Sequence, residues 1–366
     1  MEIGIVGLPG SGKTTVFKAL TKGHAQTGAY SSAASAPNIG VVKVPDPRLN
    51  NLTALLKPKR TIAAEVIYVD VAAPARGFGK GEGPGAQFLD SLSKVDAIVH
   101  VVRVFEDDRV PHGEGYIDPN RDVVNMNLEL TVSDLTIIER RLERLTASLK
   151  GARQQEKEQI LREQSLLNKI KSRLEEDVPV REQELSSEEI KEIEGFQFLT
   201  AKPLLLLLNI GENQISENDA LEDRYRNKYK GDSLDVATLC GQVEMELTEL
   251  SDSESQEFRA SLGLGESGLD RVIQISYGLL GFISFFTVVS DEIRAWTIRR
   301  NTTVQKAAGK VHTDMERGFI RAEVIGFDDL ISCDSIAEAR KRGLLRLEGK
   351  NYIVQDGDIV TVLFNV

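Results

Sequence analysis

The sequence predicts an α/β domain with a mostly parallel sheet, interrupted by a helical hairpin and followed by a small α+β domain. Three observations carry that expectation. Strand-like and helical segments alternate from the first residues onward. From Leu135 the apolar positions fall at steps of three and four instead. From about Gly278 the texture changes again, to short strands around turns with one helix between them.

The elements follow in order. Residues 2–7, "EIGIVG", read as a short buried strand, and "TTVFKALTKG" after a glycine-rich turn reads as a helix. "GVVKVP" and "AAEVIYVDV" are strands, "AQFLDSLSKV" a helix and "AIVHVVRVF" a strand. Leu135, Ile138, Leu142, Leu145 and Leu149 then form a heptad seam, and Ile160, Leu167 and Leu174 repeat at seven-residue steps. An antiparallel hairpin broken near Gly151 fits better than one long helix, because glycine disfavours continuation. The α/β pattern resumes at "KPLLLLLNI" and "LDVATL". Further on, "FFTVVSDEIRAWTIRR" reads as two strands, "TVQKAAGKVHTDM" as a helix, and "NYIVQDGDIVTVLFNV" as a hairpin around Asp356-Gly357. The expected division is 1–130 with 200–277, then 131–199 for the hairpin and 278–366 for the last domain.

The 366 residues are 41% hydrophobic and 28% charged, the profile of a globular protein of two or three domains. No apolar run reaches the roughly 18–20 residues of a membrane-spanning helix, and no basic leader precedes the first strand; with only two distant cysteines a reducing cytoplasm is expected, and a monomer is expected with it. Cys240 and Cys333 are too few for a disulfide framework, and the 4 histidines are scattered, against a histidine metal site. A net charge of −11 argues against nucleic-acid binding by the whole surface. Residues 292–350 run against that trend, with 12 Lys/Arg and 9 Asp/Glu.

Residues 7–14 read "GLPGSGKT", matching G-x-x-x-x-G-K-S/T between a strand and a helix. Gly10 and Gly12 let backbone N–H groups turn onto phosphate oxygens, with Ser11 between them. Lys13 would meet the β- and γ-phosphates, Thr14 would offer a hydroxyl to Mg²⁺, and Thr15 continues the helix start. This loop alone does not choose among kinase, ATPase and GTPase.

The strand "PLLLLLN" ends in Asn209, Ile210, Gly211 and Glu212, where GTPases commonly carry Asn-Lys-x-Asp. An aspartate there accepts from two N–H groups of guanine. Glu212 is one methylene longer and loses that fit, while Asn209 could meet the N7 that adenine shares. Relaxed guanine selectivity is expected, although an ordinary helix-start loop would read the same way.

Together the residues resemble the YchF / Obg-like ATPase family over essentially the whole length. The resemblance rests on "PNIGVVKVPDPRL", "GKGEGPGAQFL", "VDAIVHVVRVFED", "DPNRDVVNMNLEL", "NIGE", "EMELTEL", "EIRAWTI", "HTDMERGFIRAEVI" and "LEGKNYIVQDGDIV". It implies a P-loop G domain, an inserted coiled coil and a C-terminal TGS domain, a β-grasp module. It also implies ATP use with Mg²⁺ and ribosome binding. By the same resemblance, Asp70 reaches Mg²⁺, and Cys240, Gly241 and Gln242 form the loop that contacts the base.

The sequence departs from the family at its switches. Ala34 stands where the first switch has threonine, with Ser32 and Ser35 nearby. Ala73-Pro74 replaces Gly-Leu after Asp70. Pro74 fixes its own φ and biases Ala73 toward extended backbone, which would stiffen the second switch. Two functions stay open. One is a slow Mg²⁺-dependent NTPase in which Lys13 and Asp70 serve catalysis. The other is a nucleotide-dependent ribosome-binding adaptor with little hydrolysis. A P-loop kinase, with Arg76 as a lid arginine, is a weaker third. Arg294, Arg299, Arg300, Lys306, Lys310, Arg317 and Arg321, near Trp296, could together face RNA.

Overall fold

The computed structural model describes residues 2–24, 38–71, 84–110, 115–229, 231–265, 267–289 and 291–365. Its strands are β1 (Glu2–Val6), β2 (Asn38–Lys43), β3 (Arg60–Ile62), β4 (Glu65–Asp70), β5 (Ala97–Arg103), β6 (Leu204–Asn209), β7 (Leu234–Leu239), β8 (Phe282–Val289), β9 (Glu292–Arg299), β10 (Phe319–Ile325), β11 (Arg346–Glu348) and β12 (Ile359–Phe364). The helices needed below are α1 (Lys13–His24), α2 (Pro47–Leu56), α3 (Pro84–Lys94), α4 (Pro119–Leu149), α5 (Gln154–Glu175), α6 (Ser187–Ile193), α7 (Asn218–Lys228) and α8 (Gly241–Leu247). The chain divides into two units: residues 1–40 with 67–269, and residues 41–66 with 270–366.

The first unit is built on a sheet of order β2-β4-β1-β5-β6-β7, in which β4, β1, β5, β6 and β7 run parallel. Every residue of β5 and β6 is buried, as strands covered on both faces must be. That requirement explains the apolar text of "LLLLL" and, His100 apart, of "AIVHVV". β1 sits where successive connections leave in opposite directions, so the loop after it opens at the crevice where such sheets bind ligands.

One polar side chain interrupts this core. His100 of β5 is fully buried, and among the described residues neither ring nitrogen has a hydrogen-bond partner. Strand alternation places it on the face of Ile98 and Val102, which pack with Phe88, Leu92, Val123 and Met126. Burial holds its pKa down from 6.5 to about 4. A histidine depressed in the folded state contributes stability above pH 6.5 that is lost as pH falls toward 4. His100→Leu should therefore stabilise the protein by about 1–2 kcal/mol at pH 7. Wild type should lose up to about 3 kcal/mol more than the variant on acidification, measured by urea denaturation across that range. Equal pH slopes for the two proteins would refute this.

The helical hairpin follows the heptad reading. α4 is started by the Asp118 carboxylate, which accepts from the N–H groups of Asn120 and Arg121, with Pro119 at the first helical position. Its first turns pack Val123, Met126 and Leu130 into the sheet core, so the helix begins well before the heptad seam. Beyond them Ile138 and Leu145 meet Leu166, Leu167, Ile170 and Leu174 of α5. The chain turns through residues 150–153, at the glycine that the sequence marks. At the root, the fully buried Asp134 carboxylate accepts from the N–H groups of Leu199 and Thr200 and from the Thr200 hydroxyl, at 2.7–2.9 Å. Burial outweighs those bonds and pushes its pKa up to about 6.

The second unit is a sheet of order β11-β10-β12-β8-β9-β3. The helix Val304–Val311 packs Val304 and Ala307 against Phe285, Ile298, Val324 and Val360, a β-grasp arrangement. Three features differ from the sequence reading. Residues 41–66 join this unit: β3 pairs in parallel with β9, and Arg48 of α2 bonds Asp46 and Asp356. The expected hairpin around Asp356-Gly357 is absent. β12 pairs instead with β10 and β8, and among residues 351–355 Ile353 forms an isolated bridge to Thr303. The Asp356 carboxylate is used elsewhere, by the Ser284 N–H and Arg48. Finally, the helix expected through "HTDM" breaks at His312, which caps a second short helix, Thr313–Arg317. No helix among the described residues is long and apolar enough to cross a membrane.

Candidate functional site

The loop between β1 and α1 is set by two left-handed glycines, Gly10 at φ 81° and Gly12 at φ 82°. Side chains rarely adopt that backbone. A Cβ at Gly12 would also strike the Asn209 amide, and one at Gly7 would lie 2.8 Å from the Val101 carbonyl. The Ser11 N–H closes the turn onto the Leu8 carbonyl at 3.0 Å. Ser11 is buried, and its hydroxyl has no hydrogen-bond partner among the described residues. α1 starts at Lys13, so its first N–H groups, which lack helical partners, open on this loop.

Lys13 and Asp70 meet across the top of the sheet. The Lys13 ammonium donates to Asp70 Oδ1, and the Asn38 amide lies 3.4 Å from Oδ2. Asp70 is the last residue of β4 and is buried. β4 is paired in register with β1, Asp70 opposite Ile5, so the sheet itself delivers the carboxylate beside the loop. The Thr14 side chain is exposed beside Lys13, and Thr15 is half-buried.

Asn209 ties three segments together. Its Nδ2 donates to the Ser11 carbonyl at 2.9 Å, and its Oδ1 accepts from the Gly241 N–H at 3.0 Å. Its own carbonyl accepts from the N–H groups of Val104 and Phe105. The expectation that this side chain is simply aimed at a base is thereby changed: most of its bonding is spent inside the protein. Glu212 and Gln242 are exposed at the cleft, with Gln242 donating to Glu246 at 2.7 Å. Cys240 is buried at the start of α8, and burial pushes its thiol pKa up. A neutral thiol there is a wall, not a nucleophile. Gly241 is buried against Asn209 and Val16.

Residues 7–15 with Asn209, Glu212, Cys240 and Gln242 line one cleft of about 1350 Å³. Sequence reading missed another part of its wall, residues 104–110. Arg103, buried at the end of β5, donates to the carbonyls of Phe105, Asp107 and Val110 at 2.9–3.2 Å. Its guanidinium also lies 4.6 Å from the Phe105 ring centroid. Phe105 is thereby held at the cleft near both Gly12 and Gly211. The available signal was an arginine and an aromatic ending an otherwise apolar strand. Glu244 was missed too. It binds Arg259 at 2.8 Å and the Gly268 N–H at 3.0 Å, which anchors the chain behind the Cys240 wall.

Ala34 with Ser32 and Ser35, and the switch residues Ala73 and Pro74 with Arg76, lie outside the described residues. Among the described residues no cluster of His, Cys, Asp and Glu forms a metal site. The oxygen donors near the loop are the Asp70 carboxylate and the Thr14 hydroxyl. Both are hard ligands of the kind Mg²⁺ takes, and the Lys13 ammonium already supplies a positive charge at Asp70. The residues therefore fit Mg²⁺ bound beside a phosphate chain.

Sheet order, glycine loop and Lys13–Asp70 pair together define a P-loop domain of the GTPase class. Comparison with known proteins agrees. A family profile described as "50S ribosome-binding GTPase" matches residues 2–140, and YchF-GTPase_C, described as "Protein of unknown function (DUF933)", matches residues 282–365. A Bacillus subtilis protein named "Ribosome-binding ATPase YchF" is 40% identical over 368 residues, covering all of both chains. Its Pasteurella multocida namesake is 42% identical over 365 residues, covering 100% of this chain and 99% of that one. The structure of the Schizosaccharomyces pombe YchF GTPase superposes with a TM-score of 0.87 at 32% identity, covering 99% of this chain and 97% of that one. The chain belongs to the YchF family.

Proposed function

We propose that this chain binds ATP with Mg²⁺ in the cleft above β1, hydrolyses it slowly and works in the cytoplasm as a monomer associated with ribosomes. The observation that carries the reading is the Lys13–Asp70 pair beside a loop opened by two left-handed glycines. Backbone N–H groups of Gly10, Gly12, Thr14 and Thr15 would hold phosphate oxygens, and Lys13 would leave Asp70 for the more highly charged β- and γ-phosphates. That exchange frees Asp70, which with Thr14 would hold Mg²⁺. Bound Mg²⁺ would neutralise charge on the β- and γ-oxygens.

Base preference rests on Glu212 and Ile210 standing where Asp and Lys would complete a guanine reader. Glu212→Asp should shift the ATP-to-GTP affinity ratio toward GTP by about threefold to tenfold, on the order of 1 kcal/mol. An unchanged ratio would remove Glu212 from base selection. Phe105, which lines the cleft with Cys240 and Gln242, would stack on the base. Phe105→Ala should weaken ATP and GTP alike by about tenfold, since stacking contributes about 1–3 kcal/mol whatever the base. A loss confined to one nucleotide would contradict a stacking role.

Slow turnover follows from the residues at the switches, Ala34 and Ala73-Pro74. A single-turnover assay with radiolabelled ATP, alone and with purified ribosomes, tests it. Slow hydrolysis by the protein alone is expected. A complete lack of hydrolysis in both conditions would favour the adaptor reading.

A further inference from the structure

We infer that Leu262 is a specificity-determining residue of the cleft, an apolar wall against the edge of the purine that disfavours guanine; the inference rests on the ATP site proposed above. Leu262 belongs to neither the glycine loop nor the Asn209–Glu212 element. It follows α9 (Asp252–Ser261), well beyond both in the chain. Yet it lines the same cleft as Ile210, Glu212, Cys240 and Gln242.

The fold fixes this side chain from both ends of its helix. α9 starts at Ser251, whose N–H donates to the Glu254 carboxylate at 3.0 Å. It stops at Gly263, which is left-handed at φ 67°, and the Leu264 N–H returns to the Arg259 carbonyl at 2.9 Å. Arg259 clips α9 to the base loop: it donates to Glu244 at 2.8 Å, and Glu244 is buried on α8, the helix that begins beside Cys240. Phe258, Leu262 and Leu264 then pack against the cluster of Ile210, Ile215, Cys240, Val243 and Leu247. Leu262 is only half-buried, so part of its surface packs into that cluster and part is left to the cleft.

What remains there suits one purine better than the other. Guanine carries two donor groups and a carbonyl oxygen along its Watson–Crick edge. Adenine carries one donor group, one acceptor and an apolar C2–H. Closing that edge with leucine leaves more of guanine's polar groups without partners, and each unmatched group costs affinity. The neighbouring backbone does not compensate. The Gly241 N–H is already spent on Asn209 Oδ1 at 3.0 Å, so guanine's carbonyl gains no donor from it. Leu262 thus adds exclusion of guanine to the loosened recognition expected from Glu212.

The test is titration calorimetry with ATP and GTP, each with Mg²⁺, on wild type, Leu262→Glu and Leu262→Ala. The readout is the ratio of the two affinities. Added charge or disturbed packing acts on both nucleotides alike, so a merely structural role does not move it. Leu262→Glu offers a carboxylate that accepts from guanine's donors and repels the adenine N1 lone pair. It should shift the ratio toward GTP by about tenfold or more, the equivalent of about one hydrogen bond to a charged group. Leu262→Ala admits water to the edge and should shift the ratio the same way by about threefold. A ratio that stays put in both variants, or moves toward ATP, would overturn the wall.

The wild-type measurement separates this inference from the reading beneath it. Wild type that favours ATP, with a ratio that moves in Leu262→Glu, supports both. If wild type favours ATP and neither variant moves the ratio, the ATP site stands and Leu262 is only packing. If wild type shows no preference for ATP yet Leu262→Glu gains on GTP relative to ATP, the wall stands and the ATP preference falls. Failure of wild type to bind either nucleotide overturns both.

Discussion

Lys13→Ala should abolish measurable ATP binding, a loss of at least a hundredfold in affinity by titration calorimetry. A hydrogen bond to a charged group contributes about 1.5–3 kcal/mol, and Lys13 is expected to meet two phosphates. The same change should destabilise the free protein. Asp70 is buried and Lys13 is its cationic partner, so removing the ammonium leaves a buried carboxylate uncompensated. Breaking such a pair from one side costs about 3–5 kcal/mol. The double variant Lys13→Met/Asp70→Asn separates the two effects. It removes both charges, so the melting temperature should recover most of the way to wild type, while ATP binding stays lost. If ATP binding survived in Lys13→Ala, the phosphate-loop reading would fail. If the double variant were no more stable than Lys13→Ala, the pair would not be what holds Asp70.

Asn209→Ala should have the second-largest effect. The side chain closes two buried bonds, to the Ser11 carbonyl and from the Gly241 N–H, and each partner would be left without it. An unsatisfied buried group costs about 1–3 kcal/mol, so a total near 2–4 kcal/mol is expected in urea denaturation. The nucleotide effect should exceed that of a lost base contact. Gly12 is positioned against the Asn209 amide, so freeing that amide loosens the loop that receives the phosphates. ATP and GTP should weaken together, by at least tenfold. A change in selectivity alone, with stability intact, would assign Asn209 to the base and not to the loop.

The parts of this molecule that sequence made legible are those with strong local signals. β5 and β6 are buried on both faces and read as apolar runs. The hairpin seam at Ile138, Leu145, Leu167 and Leu174 is core in fact. The glycine loop was visible because its chemistry needs fixed spacing. What stayed hidden depends on contacts distant in sequence. β3 is three residues long and largely exposed, so its pairing with β9 leaves no periodic trace. The Asp356 turn resembles a hairpin, yet its carboxylate is taken by Ser284 and Arg48. Asn209 looked like a base reader because of its place after a strand. Only the fold brings Ser11 and Gly241 to its two ends. Phe105 became visible through Arg103, whose three carbonyl contacts hold the loop at the cleft.

The central claim is that the cleft around Lys13 and Asp70 is an ATP site that uses Mg²⁺. Titration of the wild-type protein with ATP, with Mg²⁺ and again with a chelator present, tests it most directly. One saturable site is predicted, weakened about tenfold or more without Mg²⁺, with GTP binding less tightly than ATP under the same conditions. No saturable binding of ATP or GTP, or ATP affinity indifferent to Mg²⁺, would contradict it.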